Sequence, residues 1–123
     1  MSFTNLHGQQ FMNLFTFRKN GTAVKTPVWF AEDAGKLYVM TIENTGKVKR
    51  VRATGRVEVG PSDQRGNPTG PVVAGNACIL PASERDRVEA LLSKKYGLFK
   101  LLFDLFGKIS GSYKQRVYIE ISA

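Results

Sequence analysis

The sequence has one cysteine, one histidine and one tryptophan among its 123 residues, and two of these scarcities remove a class of chemistry. A lone cysteine, Cys78, cannot close an intrachain disulfide, so nothing points to an oxidising compartment. Its place in the apolar run Ala77-Cys78-Ile79-Leu80 predicts a buried small hydrophobe rather than a nucleophile. A lone histidine, His7, argues against Ser-His-Asp and Cys-His arrangements. No His, Cys and carboxylate cluster has metal-ligand spacing, so no metal site is expected. Neither G-x-G-x-x-G nor a Walker A pattern occurs, which removes two common phosphate-cradling loops.

Long apolar runs are also missing. Met1 to Gln10 is polar and lacks the apolar segment of a secretion signal. The longest apolar-rich stretch, Leu98 to Phe106, is interrupted by Lys100 and Asp104 and is too short to span a bilayer. That helix is expected to serve as core or dimer interface. A cytoplasmic protein with no transmembrane segment is expected, folded as a single domain over residues 1–123 around one core.

Acid is the remaining shortage. Ten Asp and Glu stand against eighteen Lys and Arg, a formal charge of +8, so the partner is expected to be anionic. Nucleic acid, an acidic membrane surface and a phosphorylated cofactor all satisfy that, and the position of the charge separates them.

The apolar periodicity that is present reads mostly as strands. Phe11 to Arg18 is a strand, Lys19-Asn20-Gly21 a hairpin turn, and Ala23 to Glu32 a second strand. Val24, Thr26, Val28 and Phe30 share one of its faces, and Lys25, Pro27 and Trp29 the other. Asp33-Ala34-Gly35 turns into a third strand, Lys36 to Thr41, completing an antiparallel meander. Asn44 or Thr45 then caps a short helix running to about Ala53, with Val48 and Val51 inward.

A strand over Arg56 to Gly60 follows, then a loop over Pro61 to Pro71. Gly70 to Leu80 is a further strand with a bulge expected at Gly75. Ser83 and Asp86 resemble a capping box that opens a helix carrying Val88, Leu91, Leu92 and Tyr96, ended by Gly97. A second helix through Phe106 is stopped by Gly107, and Arg116 to Ile121 is the last strand. The fold class is α+β: about six antiparallel strands in a closed or partly closed barrel, with short peripheral helices.

The sharpest local signal is Thr45-Gly46-Lys47-Val48-Lys49-Arg50-Val51-Arg52, with Arg56 soon after and no acid among them. A helix start already carries partial positive charge, so a cation there is unfavourable by several tenths of a kcal/mol. Lys47 at that place makes sense if an anion binds the exposed amides; the alternative is a solvated basic face. The aromatics lie in apolar runs rather than among these cations, which argues against nucleic acid as partner. With no catalytic acid or base in view, an enzyme here takes its chemistry from a cofactor.

Thr16-Phe17-Arg18-Lys19-Asn20-Gly21 with Lys25-Thr26-Pro27-Val28-Trp29-Phe30 resembles the first hairpin of the pyridoxamine-phosphate-oxidase-like split-barrel family. Leu37-Tyr38-Val39-Met40-Thr41 and Thr45-Gly46-Lys47-Val48-Lys49-Arg50 resemble its next strand and phosphate-binding helix. Asp63-Gln64-Arg65-Gly66 and Gly70-Pro71 resemble a loop of an actinobacterial, coenzyme F-420-dependent branch of that family.

The resemblance implies a split barrel and a homodimer with the cofactor site between protomers. It implies hydride transfer between FMN or the deazaflavin coenzyme F-420 and a small or hydrophobic organic substrate, or cofactor carriage without turnover. It places Thr41, Lys47, Lys49 and Arg50 at the phosphate, and Lys25, Thr26, Pro27, Val28 and Trp29 along the ring. The surplus of cations, Arg52 and Arg65 included, predicts a preference for the deazaflavin, which carries further anionic groups in its tail. Ser62 stands where relatives often have cysteine, and Gly55 where proline is common.

Overall fold

Seven strands share one antiparallel sheet in the computed structural model, which describes residues 3–123. Residues 1 and 2 of the expected domain lie outside the described residues. The strands are β1 (Phe11–Phe17), β2 (Ala23–Val28), β3 (Ala31–Asp33), β4 (Lys36–Ile42), β5 (Arg56–Ser62), β6 (Val73–Ile79) and β7 (Arg116–Ser122). Their order across the sheet is β2-β1-β5-β6-β7-β4-β3.

The two edges are therefore β2 and β3, which only Trp29 and Phe30 separate in sequence. The step from Val28 to Ala31 spans at most about 10 Å. The sheet must curl until its edges almost meet, leaving a seam that no strand pairing closes. The expected single strand from Ala23 to Glu32 is thus two strands, the count is seven rather than about six, and the meander does not form. Physical reasons converge at the corner. Pro27 has no N–H for a further ladder and holds β2 at the edge. The Phe30 N–H donates to Tyr96 Oη at 2.9 Å, and its carbonyl accepts from Lys95 Nζ at 2.8 Å. Side chains have replaced the neighbouring strand.

The inside of the curl holds Met12, Leu14, Phe30, Val39, Val57, Val59, Ile119 and Ile121, together with Val51 from α1 (Gly46–Thr54). Val48 and Val51 are buried as their spacing predicts. α2 (Arg85–Tyr96) lays Val88, Leu92 and Tyr96 against Ala31, Tyr38 and Tyr118.

Local expectations fail where packing overrides them. Thr45 occupies the cap position of α1, but its hydroxyl donates back to the Ile42 carbonyl at 2.9 Å. The expected capping box does not form, and a 3-10 turn (Ala82–Glu84) leads into α2 instead. β6 is unbulged at Gly75, which pairs in register with Val57. The residue is glycine because a Cβ there would sit 3.0 Å from Ile121 Cγ2. Cys78 is exposed, since strand alternation turns its neighbour Ala77 inward.

α3 (Leu98–Ser110) runs straight through Gly107 and ends at Gly111. Gly107 is buried in mid-helix because the Arg116 guanidinium crosses it, 3.3 Å from where a Cβ would stand. This helix is inverted. Its buried side chain is Lys100, 1% exposed, while Leu98, Phe99, Leu101, Leu102, Phe103, Leu105, Phe106 and Ile109 are all 48–75% exposed. Its expected role as core is therefore overturned.

Charge holds the inward face. Lys100 Nζ pairs with Glu89 and Asp104, and Arg116 Nη1 reaches Asp104 Oδ1 at 2.8 Å and Glu89 Oε2 at 3.1 Å. Two cations and two anions alternate, so the buried cluster is neutral. Burial alone would raise the Glu89 carboxyl; hydrogen bonds from Lys100 and Tyr118 and the charge of Arg116 hold it below its usual range. Among the described residues no helix is long and apolar enough to cross a membrane.

Candidate functional site

The end of β2 and the corner after it form one wall of a pocket of about 290 Å³. Thr26, Pro27, Val28 and Trp29 supply that wall, Met40, Thr41 and Ile42 of β4 face it, and Lys47 and Phe103 close its sides. Six of the nine residues expected at the cofactor are thereby brought together: Thr26, Pro27, Val28, Trp29, Thr41 and Lys47.

Trp29 is held as a rigid panel. Its ring stacks on Tyr96 with centroids 4.3 Å apart and planes 10° from parallel, and Phe103 leans on it at 5.3 Å. Lys47, second residue of α1, is half-buried and has no ion-pair partner among the described residues. Burial first, and then the charge of Arg50, pull its amine below the ordinary lysine pKa. An unpaired, partly desolvated ammonium at a helix start is electrostatically unfavourable on its own, and a nearby anion would relieve it.

Three expected residues lie outside the pocket. Lys25 Nζ donates to the Gly66 carbonyl at 3.2 Å and ties β2 to the loop after β5. Lys49 is exposed. Arg50 folds back over the start of α1, its Nε donating to Thr16 Oγ1 at 2.6 Å. A Cβ on Gly46 would come within 2.6 Å of Arg50 Nη1, so glycine is what allows the guanidinium to lie across the helix start. Arg50 thus raises the positive potential at Lys47 without lining the pocket. Arg52 is paired with Glu43, an acid just outside the basic run, so the cationic surface is shorter than the sequence suggests.

Met40, Ile42 and Phe103 were not anticipated at the site. The apolar β4 pattern gives a faint signal for the first two. Nothing local connects Phe103 with β2, because only the inverted packing of α3 carries it there.

A second cavity, of about 490 Å³, shares the Trp29 wall and is lined further by Gln10, Phe11, Gln64, Lys95, Tyr96 and Phe99. Burial pulls Lys95 down to about 8, partly offset by Glu32, and pushes the Tyr96 phenol up to about 12.

No family model and no curated protein matches the chain. Solved structures do. A candidate 5-nitroimidazole antibiotic resistance protein from Bacteroides thetaiotaomicron superposes with a TM-score of 0.70 at 9% identity, over 98% of this chain and 76% of that one. A candidate pyridoxamine 5'-phosphate oxidase from Listeria innocua gives 0.64 at 18% identity, over 94% and 85%. An FAD-binding protein from Mesorhizobium loti gives 0.66 at 21% identity, over 98% and 85%. The fold is that of the pyridoxamine-phosphate-oxidase-like split barrels. At such identities the likeness concerns fold alone.

Proposed function

We propose that the chain is a flavin-type oxidoreductase that holds FMN or coenzyme F-420 in the pocket between β2, β4 and α1. The observation that carries this reading is the pairing of an unpartnered ammonium, Lys47, with an apolar wall ending in Trp29. A flat ring bearing a phosphate has that same polarity. The first-turn amides of α1, the Thr41 hydroxyl and Lys47 would take the phosphate, and Thr26 to Trp29 would lie along the ring. When bound, the cofactor supplies hydride transfer to or from a small or hydrophobic organic molecule.

The protein's own part is to orient the ring and exclude water, because Lys47 is the one titratable side chain among the pocket's lining residues. The same shortage suits a carrier that binds the cofactor without turnover. The FAD-binding and oxidase-like neighbours support a flavin-type ligand.

The cofactor site is completed by a second copy of the chain. Taking roughly 150–200 Å² for each large side chain at full exposure, the outer face of α3 offers about 800–1,000 Å² of apolar surface, at least one protomer's share of a standard interface. Phe99 and Phe103 carry this face into both cavities, so a partner seated on α3 shields their mouths.

The test is titration of purified protein with FMN and with coenzyme F-420, followed by visible absorbance. Bleaching and reoxidation of the bound cofactor by candidate substrates indicates an oxidoreductase, and binding with no turnover a carrier. Tighter, more salt-sensitive binding of F-420 assigns the deazaflavin. Failure of both cofactors to bind overturns the proposal.

A further inference from the structure

The cavity on the other side of the Trp29 wall has its own chemistry. Phe11, Trp29, Tyr96 and Phe99 give it an aromatic lining, and Lys95 places a cation within it. That ammonium is fixed: it donates to the Phe30 carbonyl at 2.8 Å and stands 3.5 Å above the Phe30 ring. One of its three N–H groups is thus committed and two remain available. No carboxylate among the described residues pairs with it. Glu32, the charged group facing it from β3, instead accepts from the Gly8 N–H and contacts the His7 ring.

Within a half-buried aromatic slot, an ammonium with spare donors and no carboxylate in contact favours a ligand that brings both a flat apolar body and a negative end. A neutral aromatic would leave the cation uncompensated. An aliphatic acid would forgo ring contacts with Tyr96 and Phe99. We propose that this cavity is the substrate site and that it takes a planar aromatic carboxylate, its ring among Trp29, Tyr96 and Phe99 and its carboxylate on Lys95. Its designation as a substrate site rests on the flavin-type reading of the neighbouring pocket; its ligand class does not.

The probe is naphthalene-2-carboxylate against naphthalene-2-carboxamide, titrated into the 123-residue chain by calorimetry and by emission of Trp29, its only tryptophan. The carboxylate is expected to bind one per chain and to perturb Trp29. The carboxamide should bind roughly tenfold to a hundredfold more weakly, the value of a charge-assisted hydrogen bond. Lys95→Gln should erase that discrimination and Lys95→Arg keep it. Equal affinities for acid and amide in the unaltered protein overturn the proposal even if a variant fails to fold. Competition between naphthoate and FMN for one site also overturns it. FMN binding without naphthoate binding removes this proposal alone. Naphthoate binding without binding of either cofactor removes the flavin-type reading and keeps the aromatic-anion site.

Discussion

The indole of Trp29 lies flat against the phenol of Tyr96, 4.3 Å between centroids, and that contact fastens the seam of the sheet to the candidate site. The Tyr96 hydroxyl accepts from the Phe30 N–H at 2.9 Å, with the Gln10 carbonyl at 2.8 Å and the Phe30 carbonyl at 3.0 Å for its single proton. One side chain thus pins the corner between β2 and β3, the approach to β1 and the panel shared by the two cavities. Tyr96→Phe keeps the stack but leaves the buried Phe30 N–H without a partner, at a cost of about 1–3 kcal/mol. Urea denaturation should show this loss with Trp29 emission nearly unchanged, whereas Tyr96→Leu should change both.

Lys47→Ala should weaken FMN binding roughly tenfold to a hundredfold and leave riboflavin binding nearly intact, because riboflavin lacks the phosphate. Fluorescence titration of both ligands measures the difference. Equal losses would mean that Lys47 does not touch phosphate.

What the sequence disclosed, and what it hid, follows from how local each cause is. Val48 and Val51 were legible because helical spacing within one turn decides their burial. The β2 face was legible because strand alternation is a two-residue property. The corner was not, since the alternating pattern runs unbroken through Trp29 and Phe30, and besides Pro27 the groups that take the Phe30 N–H and carbonyl are Tyr96 and Lys95, far along the chain. The pocket residues on β2, β4 and α1 could be proposed from the family resemblance, whose motifs are each local. Phe103 could not, because its position depends on an inversion of α3 that requires Glu89 and Arg116. Gly107 read as a stop signal for the same reason: the guanidinium that makes it a packing residue comes from β7.

The buried cluster yields a prediction about acid. Glu89 and Asp104 are both held below their usual pKa, against burial, by hydrogen bonds and charge from Lys100 and Arg116. A carboxylate depressed in the folded state stabilises above its unfolded pKa and loses that contribution as pH falls through the folded value. Stability should therefore decline below about pH 4. Asp104→Asn should cost about 1–3 kcal/mol near neutrality, less than breaking a fully buried pair because Asp104 is 20% exposed and Glu89 still faces both cations, and should flatten the acid dependence. Urea midpoints across pH 3 to 7 measure both effects.

The outer face of α3 makes the oligomer testable. Phe106 is 71% exposed and lines neither of the two cavities, so Phe106→Glu should leave the folded chain almost as stable. Placed in a two-fold apolar interface, the same change buries two unpaired carboxylates. Light scattering should find a dimer for the unaltered protein and a monomer for the variant at micromolar concentration. A unaltered protein that is monomeric there refutes the interface.

Lys95 should produce two opposite pH dependences from one group. Its folded pKa of about 8 lies below the ordinary 10.5 because of burial, with Glu32 from β3 opposing the shift and the Tyr96 phenol beside it neutral until about 12. Between these two lysine values the unfolded chain holds more protons than the folded one, so this group's contribution makes stability rise with pH from about 8 to 10.5. Binding of an aromatic carboxylate needs the ammonium, so its affinity should instead fall as pH passes 8. A purely structural lysine would move stability alone. Naphthoate titrations at pH 7 and pH 9.5, paired with urea midpoints at the same pH values, separate the two. Lys95→Met should abolish both trends together, and an affinity that stays constant across this interval would show that the carboxylate does not meet Lys95.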